Sequence, residues 1–313
     1  MPEHKVLITD GLDESGQAIL RASCQVDDRP GISADDLLKV IPEFEAVIVR
    51  GRTKVTAPVF EAASKLKVVG RAGVGVDNID LVAAKAHGVT VVNAPVSTTL
   101  AVAELTFGLL LALAREFPRA DAAMKQGQWP KKELEGVELY GKNLGIIGVG
   151  RIGMEVAKRA QAFGMNVVAY DPLISAEEIQ KRGAEPVALD ELYDCADFIS
   201  LHLPLTVETR DMVGALAFSQ MKDGVRIVCA ARGGIIKESA LVEALNSGKV
   251  AGAALDVFEK EPPGLTDAVS HPRVIATPHI GAQTAEAQVR AGNDIAEEVL
   301  HALQGKALRW KVS

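Results

Sequence analysis

A glycine-rich segment sets the strictest limit on the fold. Leu144–Gly153 reads LGIIGVGRIG, so a run of apolar strand residues leads directly into Gly148, Gly150 and Gly153. In this spacing the first glycine permits a tight turn, the second lets a pyrophosphate approach the backbone, and the third lets a helix pack closely on the strand. A helical pattern follows at once, and a helix N-terminus offers N–H donors to an anion. The segment predicts a dinucleotide-binding strand-loop-helix unit.

An acidic residue ends the next predicted strand. Asp171 follows the sequence NVVAY, where a carboxylate accepts hydrogen bonds from the adenosine ribose and repels a 2′-phosphate. Because Pro172 comes next, Asp171 by itself would equally fit a turn. Together with the glycines it favours NAD over NADP.

The rest of the chain alternates short β-branched runs with helical segments, the pattern of parallel sheets covered on both faces. Predicted strands in the first part are Lys5–Thr9, Ala46–Val49, Lys67–Gly70 and Val89–Val92, and predicted helices are Glu14–Ala22, Ala34–Val40, Pro58–Ser64 and Leu81–His87, with Thr56 and Asp80 as N-caps. Predicted strands in the second part are Asn143–Ile147, Asn166–Tyr170, Phe198–Leu201, Val225–Cys229, Val250–Leu255 and Val274–Ala276, and predicted helices are Ile152–Phe163, Ala176–Arg182, Lys237–Asn246 and Ala285–Leu303. A linker over Asn93–Ser97 and one long apolar helix over 98–125 separate the parts. Since single cores rarely exceed ~300 residues, we expect two α/β domains.

Composition excludes several classes of partner. A net charge of −7 and a pI near 5.5 argue against broad binding to nucleic acid or anionic membranes. The three cysteines are odd in number and far apart, which fits a reducing cytosol rather than a disulfide framework. No signal peptide is apparent, and the apolar stretch Leu100–Ala114 contains Glu104 and falls short of the ~20 residues that span a bilayer. We expect a soluble cytoplasmic protein.

Candidate catalytic residues follow three strands of the second part. Oxidation of a hydroxy acid needs a base for the hydroxyl proton, a cation for the carboxylate and a group that orients the base. Arg232 comes after IVCAA, Glu259 and Glu261 lie in DVFEKEPP, and His279 lies in ATPHIG. Spacing alone does not choose between the two glutamates, and His202, in LHLP, competes with His279. Neither H-x-x-x-H nor C-x-x-C occurs, so no metal site is expected.

The chain resembles the D-isomer-specific 2-hydroxyacid dehydrogenases from about Val6 to Gly305. Six features carry the resemblance, in this order: RAGVGVDN, GVGRIG, Asp171, CAARGG, ALDVFEKEPP and TPHIGAQT. The resemblance implies that Arg232 binds the substrate carboxylate and that His279 donates and accepts the proton. It also implies that Glu261, directly before the paired prolines, poises His279, as a carboxylate bonded to an imidazole would.

The resemblance also implies NAD as cofactor, bound mostly through backbone atoms, with Asp256 near the nicotinamide amide. The implied cofactor-binding residues are Val74, Gly148, Gly150, Arg151, Ile152, Gly153, Asp171, Leu203, Pro204, Ala230, Ala231, Asp256 and Gly281.

Within the family, the chain is most like members that oxidise D-3-phosphoglycerate to 3-phosphohydroxypyruvate in serine biosynthesis. The phosphate needs cations besides Arg232, and arginines follow two strands of the first part. The candidate substrate-binding residues are Arg50, Gly51, Arg52, Arg71, Gly73 and Lys131, with Lys132 as an alternative to Lys131. Gly51 replaces a small hydroxyl residue of similar loops, which removes one hydrogen bond. Two alternatives are a reductase of glyoxylate, hydroxypyruvate or another D-2-hydroxyacid, and a non-catalytic NAD-sensing binding protein.

The resemblance implies a topology as well. A Rossmann NAD-binding domain over 95–282 would be inserted into a discontinuous flavodoxin-like substrate domain formed by 1–94 and 283–313. The helix over 98–125 would belong to an extension that forms a homodimer, since it is too apolar to face solvent. Many members that act on phosphoglycerate continue into regulatory domains; because this chain stops at Ser313, such feedback control is not expected.

Overall fold

The computed structural model describes residues 4–313, which form two compact units. The N-terminal unit consists of residues 4–99 and 282–313, and the central unit of residues 100–281. The chain therefore passes between units at 99/100 and 281/282, whereas the sequence placed these boundaries at 94/95 and 282/283. Each unit contains one parallel sheet with helices, so the predicted fold class is confirmed.

The N-terminal unit has a five-stranded parallel sheet in the order β2-β1-β3-β4-β5, the flavodoxin-like order. Its strands are β1 (His4–Ile8), β2 (Cys24–Asp28), β3 (Ala46–Val49), β4 (Val68–Arg71) and β5 (Thr90–Asn93). Its helices are α1 (Glu14–Arg21), α2 (Ala34–Val40), α3 (Ala57–Ala62), α4 (Leu81–Ala86) and the last helix of the chain, α13 (Ala285–Leu303), with a 3₁₀ turn at Ile41–Glu43.

Helix α13 belongs to this unit because it packs against α1 and the sheet. A Cβ on Gly16 would lie 2.5 Å from the carbonyl oxygen of Gly292, so the two helices meet at a point where only glycine fits. A Cβ on Gly70, in β4, would lie 2.6 Å from the Val299 side chain. The C-terminal segment of the chain is thus part of the same core as its first 99 residues.

The two predicted N-cap residues differ in whether their side chains form a capping hydrogen bond. The Asp80 carboxylate accepts a hydrogen bond from the Ala83 N–H at 2.9 Å, as a capping residue does. Thr56 is the N-cap residue of α3, as predicted, and Pro58 stands in the first turn, but the Thr56 side chain makes no capping hydrogen bond.

The central unit has a seven-stranded parallel sheet in the order β12-β11-β10-β9-β6-β7-β8. Its strands are β6 (Asn143–Ile147), β7 (Asn166–Tyr170), β8 (Glu185–Pro186), β9 (Phe198–Leu201), β10 (Val225–Cys229), β11 (Val250–Leu255) and β12 (Val274–Ala276). Its helices are α5 (Thr99–Arg115), α6 (Phe117–Lys125), α7 (Arg151–Ala162), α8 (Ala176–Lys181), α9 (Leu189–Cys195), α10 (Ala215–Gln220), α11 (Glu238–Ser247) and α12 (Asp267–Ser270). The order reverses between β6 and β9, and ligands of such sheets bind at the carboxyl ends of the strands at that reversal.

The helix predicted over 98–125 is two helices. Glu116 has φ of 53°, which ends α5, and Pro118 stands in the first turn of α6. Proline has no N–H to donate and disfavours helical geometry in the residue before it, so a continuous helix cannot pass this point without strain. Among residues 4–313, no helix has the length and hydropathy needed to cross a membrane.

Sequence patterns missed six elements. Strand β2 carries the polar sequence CQVDD at a sheet edge, and β8 has only two residues. Helices α9, α10 and α12 and the 3₁₀ turn have at most seven residues each.

Candidate active site

The glycine-rich loop lies between β6 and α7, where the strand order reverses. Gly148 has φ of +93°, and a Cβ there would lie 2.7 Å from the His202 carbonyl oxygen. A Cβ on Gly153 would lie 2.3 Å from the Gly148 carbonyl oxygen, whereas no atom lies within 4 Å of a Cβ built on Gly150. The loop therefore closes against its neighbours at two glycines and leaves room at the third, which fits a dinucleotide pyrophosphate at the N-terminus of α7.

Asp171 connects the end of β7 to this loop. One carboxylate oxygen accepts the Val149 N–H at 2.9 Å, and the other accepts the Leu173 N–H at 3.0 Å. Each oxygen can accept a further hydrogen bond, so the residue can both shape the loop and receive a ribose hydroxyl.

A second charged residue, Arg182, holds the same peptide segment. Its Nη1 donates to the Val149 carbonyl oxygen at 2.6 Å, and its Nε donates to Glu178 at 2.8 Å. Sequence reasoning missed this contact, because nothing in the pattern of α8 indicates which loop the helix will face.

The predicted cofactor residues of the central unit share one edge of the sheet. Leu203 and Pro204 follow β9, Ala230 and Ala231 follow β10, and Gly281 follows β12. Carboxyl ends of parallel strands meet at that edge, so these backbone segments lie on the same edge of the sheet as the glycine-rich loop.

His279 and Glu261 are brought together after β12 and β11. The His279 Nδ1 and a Glu261 carboxylate oxygen are 2.8 Å apart, with side chains 48% and 38% exposed. The other Glu261 oxygen accepts the Phe258 N–H at 3.2 Å. Burial by itself raises the pKa of Glu261, but the hydrogen bond and charge of His279, the Phe258 N–H and the charge of Arg232 together lower it below its usual value.

Arg232 lies in the loop after β10, near enough to Glu261 for its charge to lower that pKa. Its Nη1 donates to the Ala231 carbonyl oxygen at 2.7 Å. A Cβ on Gly233 would lie 1.7 Å from the Phe258 carbonyl oxygen, so this loop packs backbone to backbone against the segment that leads to Glu261. A cation, a carboxylate and an imidazole thus share one side of the sheet.

The competing residues have structural partners. Glu259 accepts the Glu238 N–H at 2.9 Å, and its own N–H donates to Glu238 at 2.6 Å, so it fixes the start of α11. The Nε2 of His202 lies 2.8 Å from the Ser200 hydroxyl, and burial lowers the pKa of His202 to about 4. A histidine that is protonated only below about pH 4 is poorly suited to exchange protons at neutral pH.

The arginine loop of the N-terminal unit, residues 50–53, is wrapped around Asp10. This carboxylate accepts the Arg50 N–H at 2.8 Å, the Thr53 N–H at 3.0 Å and the Thr53 hydroxyl at 2.6 Å. Asn78 donates to the carbonyl oxygens of Arg50 and Thr53 at 2.9 and 2.6 Å. Burial alone raises the pKa of Asp10, but the bonds from Thr53 and Arg50, with the charge of Arg52, hold it below its usual value.

This loop borders a cavity of about 450 Å³ that Arg50, Gly51 and Arg52 line with Asp10. No atom lies within 4 Å of a Cβ built on Gly51, so the missing hydroxyl of similar loops leaves open space. Two guanidinium groups at a cavity of this size can accept a phosphate.

The other predicted residues of the N-terminal unit follow β4. The Arg71 guanidinium folds over Gly73, where a Cβ would lie 1.6 Å from its Nη1. The Val74 carbonyl oxygen accepts a hydrogen bond from Asn93 at 2.7 Å. Lys131, in the central unit, is exposed between α6 and β6. Across the described 310-residue span from 4 to 313, no group of three metal-ligating side chains occurs.

Known proteins are similar to this chain over most of its length. Residues 107–281 match the family described as D-isomer specific 2-hydroxyacid dehydrogenase, NAD binding domain. The chain is 50% identical over 303 residues to D-3-phosphoglycerate dehydrogenase of Methanocaldococcus jannaschii, covering 96% of this chain and 58% of that one. It is 50% identical over 310 residues to the rat enzyme of the same name, covering 99% and 58%. The chain therefore spans little more than half the length of these curated relatives.

Its fold is also that of a solved glyoxylate reductase from Paecilomyes thermophila. That structure superposes with a TM-score of 0.91 at 31% identity and covers 100% of this chain and 99% of its own.

Proposed function

The chain belongs to the D-isomer-specific 2-hydroxyacid dehydrogenase family, and on that premise we propose that it oxidises D-3-phosphoglycerate to 3-phosphohydroxypyruvate with NAD. The single observation that carries a catalytic role is the 2.8 Å bond between His279 Nδ1 and Glu261. The names of relatives at 50% identity support the substrate. The reaction would be the first step of serine biosynthesis, in the cytoplasm.

His279 is the acid and base of this proposal. Because Nδ1 faces the Glu261 carboxylate, the proton resides on Nδ1 and the Nε2 lone pair is left to accept the proton of the substrate hydroxyl. Glu261 then stabilises the imidazolium, and its lowered pKa keeps it ionised for that purpose. In the reverse direction Nε2 returns the proton to the carbonyl oxygen.

Arg232 holds the substrate carboxylate. A guanidinium presents a planar pair of N–H donors that matches a carboxylate, and its fixed charge polarises the neighbouring oxygen. The bond from Nη1 to the Ala231 carbonyl oxygen restricts the orientation of the group.

Bound NAD supplies the chemistry of accepting the hydride from the carbon that bears the hydroxyl. The glycine-rich loop, Asp171 and the N-terminus of α7 are the residues that would hold it. The arginine loop around Asp10, together with Arg71 of the same N-terminal unit, is assigned to the substrate phosphate. Gly73 leaves the space that the Arg71 guanidinium occupies.

A homodimer completes the proposal. Leu100, Phe117, Met124 and Trp129 of α5, α6 and the following segment are 46%, 53%, 53% and 75% exposed. Apolar side chains exposed in series along one segment are typical of a protein-protein interface.

The test is NADH consumption by the purified protein with 3-phosphohydroxypyruvate, hydroxypyruvate and glyoxylate side by side. A kcat/KM at least tenfold higher for the phosphorylated acid supports the proposal. Preference for glyoxylate or hydroxypyruvate would leave the proposed hydride and proton transfers in place but would reject phosphoglycerate as the substrate. NADH binding without turnover of any of the three would indicate a cofactor-sensing binding protein.

A further inference from the structure

Asp256 is a fully buried carboxylate at the end of β11, with 0% of its surface exposed. Within residues 4–313 it forms no ion pair with a lysine, arginine or histidine side chain. Buried charges without a counter-ion persist only where hydrogen-bond donors replace the lost water. The hydrogen-bond donors around Asp256 therefore indicate which segment of the chain the carboxylate holds in place.

Three donors reach Asp256 from the segment that follows β12. One carboxylate oxygen accepts the Thr277 hydroxyl at 2.6 Å and the Ile280 N–H at 2.8 Å. The other oxygen accepts the Gly281 N–H at 2.8 Å. These donors flank His279 on both sides in the sequence, so the carboxylate ties down the loop that carries the imidazole.

The backbone of His279 needs such support. Its φ of 53° lies in the left-handed region, which residues with a Cβ rarely occupy. Its own N–H donates to the Thr277 carbonyl oxygen at 3.0 Å, which tightens the turn. A loop in this conformation keeps its shape only where surrounding contacts determine it.

We propose that Asp256 is a positioning residue that orients His279 toward Glu261 through Thr277, Ile280 and Gly281. The proposal rests on the proposed acid-base role of His279. It differs from the expected role of Asp256 as a cofactor contact, because both carboxylate oxygens point at the His279 loop. The side chain acts on the imidazole through the backbone and touches no reacting atom.

Thr277→Val is the sharpest test. It removes one hydrogen bond to a buried carboxylate while it preserves shape, so kcat should fall roughly tenfold, the cost of one such bond in a catalytic loop. The dissociation constant of NADH, measured by fluorescence, should stay within about twofold of wild type, and Thr277→Ser should restore kcat.

Thr106→Val is the matched control. Thr106 is buried, and its hydroxyl donates to the Val102 carbonyl oxygen at 2.8 Å within α5. Loss of this hydrogen bond should leave kcat unchanged.

Asp256→Asn is the second variant, since an amide has one acceptor oxygen and cannot serve all three donors. A kcat loss of roughly 100-fold with unchanged NADH affinity supports positioning. An equal loss of NADH affinity would show that Asp256 acts on the cofactor. Wild-type kcat in folded Thr277→Val would also overturn the proposal.

A readout independent of turnover separates this proposal from the proposed function. The nitrogen chemical shifts of the His279 ring, measured by nuclear magnetic resonance, report the hydrogen bond at Nδ1 and need no substrate. In Thr277→Val these shifts should differ from those of wild type, because the imidazole loses alignment with Glu261. Identical shifts in both proteins would refute positioning, whereas a wild-type protein that reduces no 2-oxo acid refutes only the function.

Discussion

The imidazole of His279 and the carboxylate of Glu261 meet at 2.8 Å although they follow different strands, β12 and β11. These strands are neighbours in the sheet, so their carboxyl ends deliver both side chains to one edge. An acid-base pair formed in this way depends on two loops, and each loop provides variants that test it.

Glu261→Gln and Glu259→Gln form a matched pair. The first keeps the size of the side chain but removes the charge that stabilises the imidazolium, so kcat should fall roughly 10- to 1,000-fold. The second alters the contact with α11 and should leave kcat within about twofold, with a stability loss of about 1 kcal/mol. Steady-state kinetics and urea unfolding measure both. Equal kcat losses would contradict the assignment of Glu261.

His279→Ala should reduce kcat by about 10²–10⁴-fold, the typical contribution of a positioned acid-base group. NADH affinity by fluorescence titration should remain near wild type, since the glycine-rich loop is unaffected. His271→Ala, in the turn before β12, serves as a control that should retain full activity. Loss of NADH binding in His279→Ala would point to misfolding or another role.

Arg232→Lys should mainly raise the KM of the 2-oxo acid, by roughly 10- to 100-fold, because lysine keeps the charge but loses the paired donors. Initial rates over a range of substrate concentrations test this. An unchanged KM would refute the assignment of Arg232 to the substrate carboxylate.

Asp10→Asn should destabilise the N-terminal unit by about 2–4 kcal/mol at pH 7, because a carboxylate that accepts three hydrogen bonds is replaced by an amide. The pKa of Asp10 is lower in the folded chain than its ordinary value of 3.8. Its contribution is therefore fully present above pH 3.8 and lost as the pH falls through the lower folded value.

Urea unfolding of wild type and Asp10→Asn at several pH values down to 3 tests this linkage. The stability difference should be constant near neutral pH and shrink in acid. A difference that grows in acid would contradict the sign. The KM of the phosphorylated acid should also rise in the variant, since the arginine loop loses its anchor.

Gly148→Ala should weaken NADH binding and stability together. The added Cβ would lie 2.7 Å from the His202 carbonyl oxygen at a residue with φ of +93°. Fluorescence titration and thermal unfolding should both show the loss. Wild-type affinity in the variant would mean that the loop adapts without effect on the cofactor.

Patterns over a few residues predicted much of the fold. The bounds of six strands in the second part match the structure residue for residue, as do α2 and α13. The strands are short and largely apolar, and α2 and α13 begin after the capping residues Ser33 and Thr284, so local sequence is sufficient to place them. Thr56 occupies the predicted N-cap position of α3, but spacing does not determine the rotamer, and its side chain makes no capping hydrogen bond.

Tertiary pairing explains why the sequence patterns did not single out Asp10 and Thr277, although their partners Arg50 and Asp256 were predicted site residues. Asp10 follows β1 and Arg50 follows β3, and these strands are neighbours. Thr277 and Asp256 likewise follow the neighbouring strands β12 and β11. A search for polar residues after adjacent strands would have found both pairs, whereas Arg182 on α8 had no such signal.

The sequence by itself determined the strand-loop-helix unit, the acid of the next strand and the two parallel sheets, because turns, glycine spacing and apolar periods act over short distances. Residue spacing left open which glutamate faces His279, since Glu259 and Glu261 are two residues apart in the same loop, and only the family resemblance implied Glu261. The tertiary structure shows how the two carboxylates are separated. The course of that loop, fixed by contacts with α11 and Phe258, turns one carboxylate to a helix and the other to the imidazole.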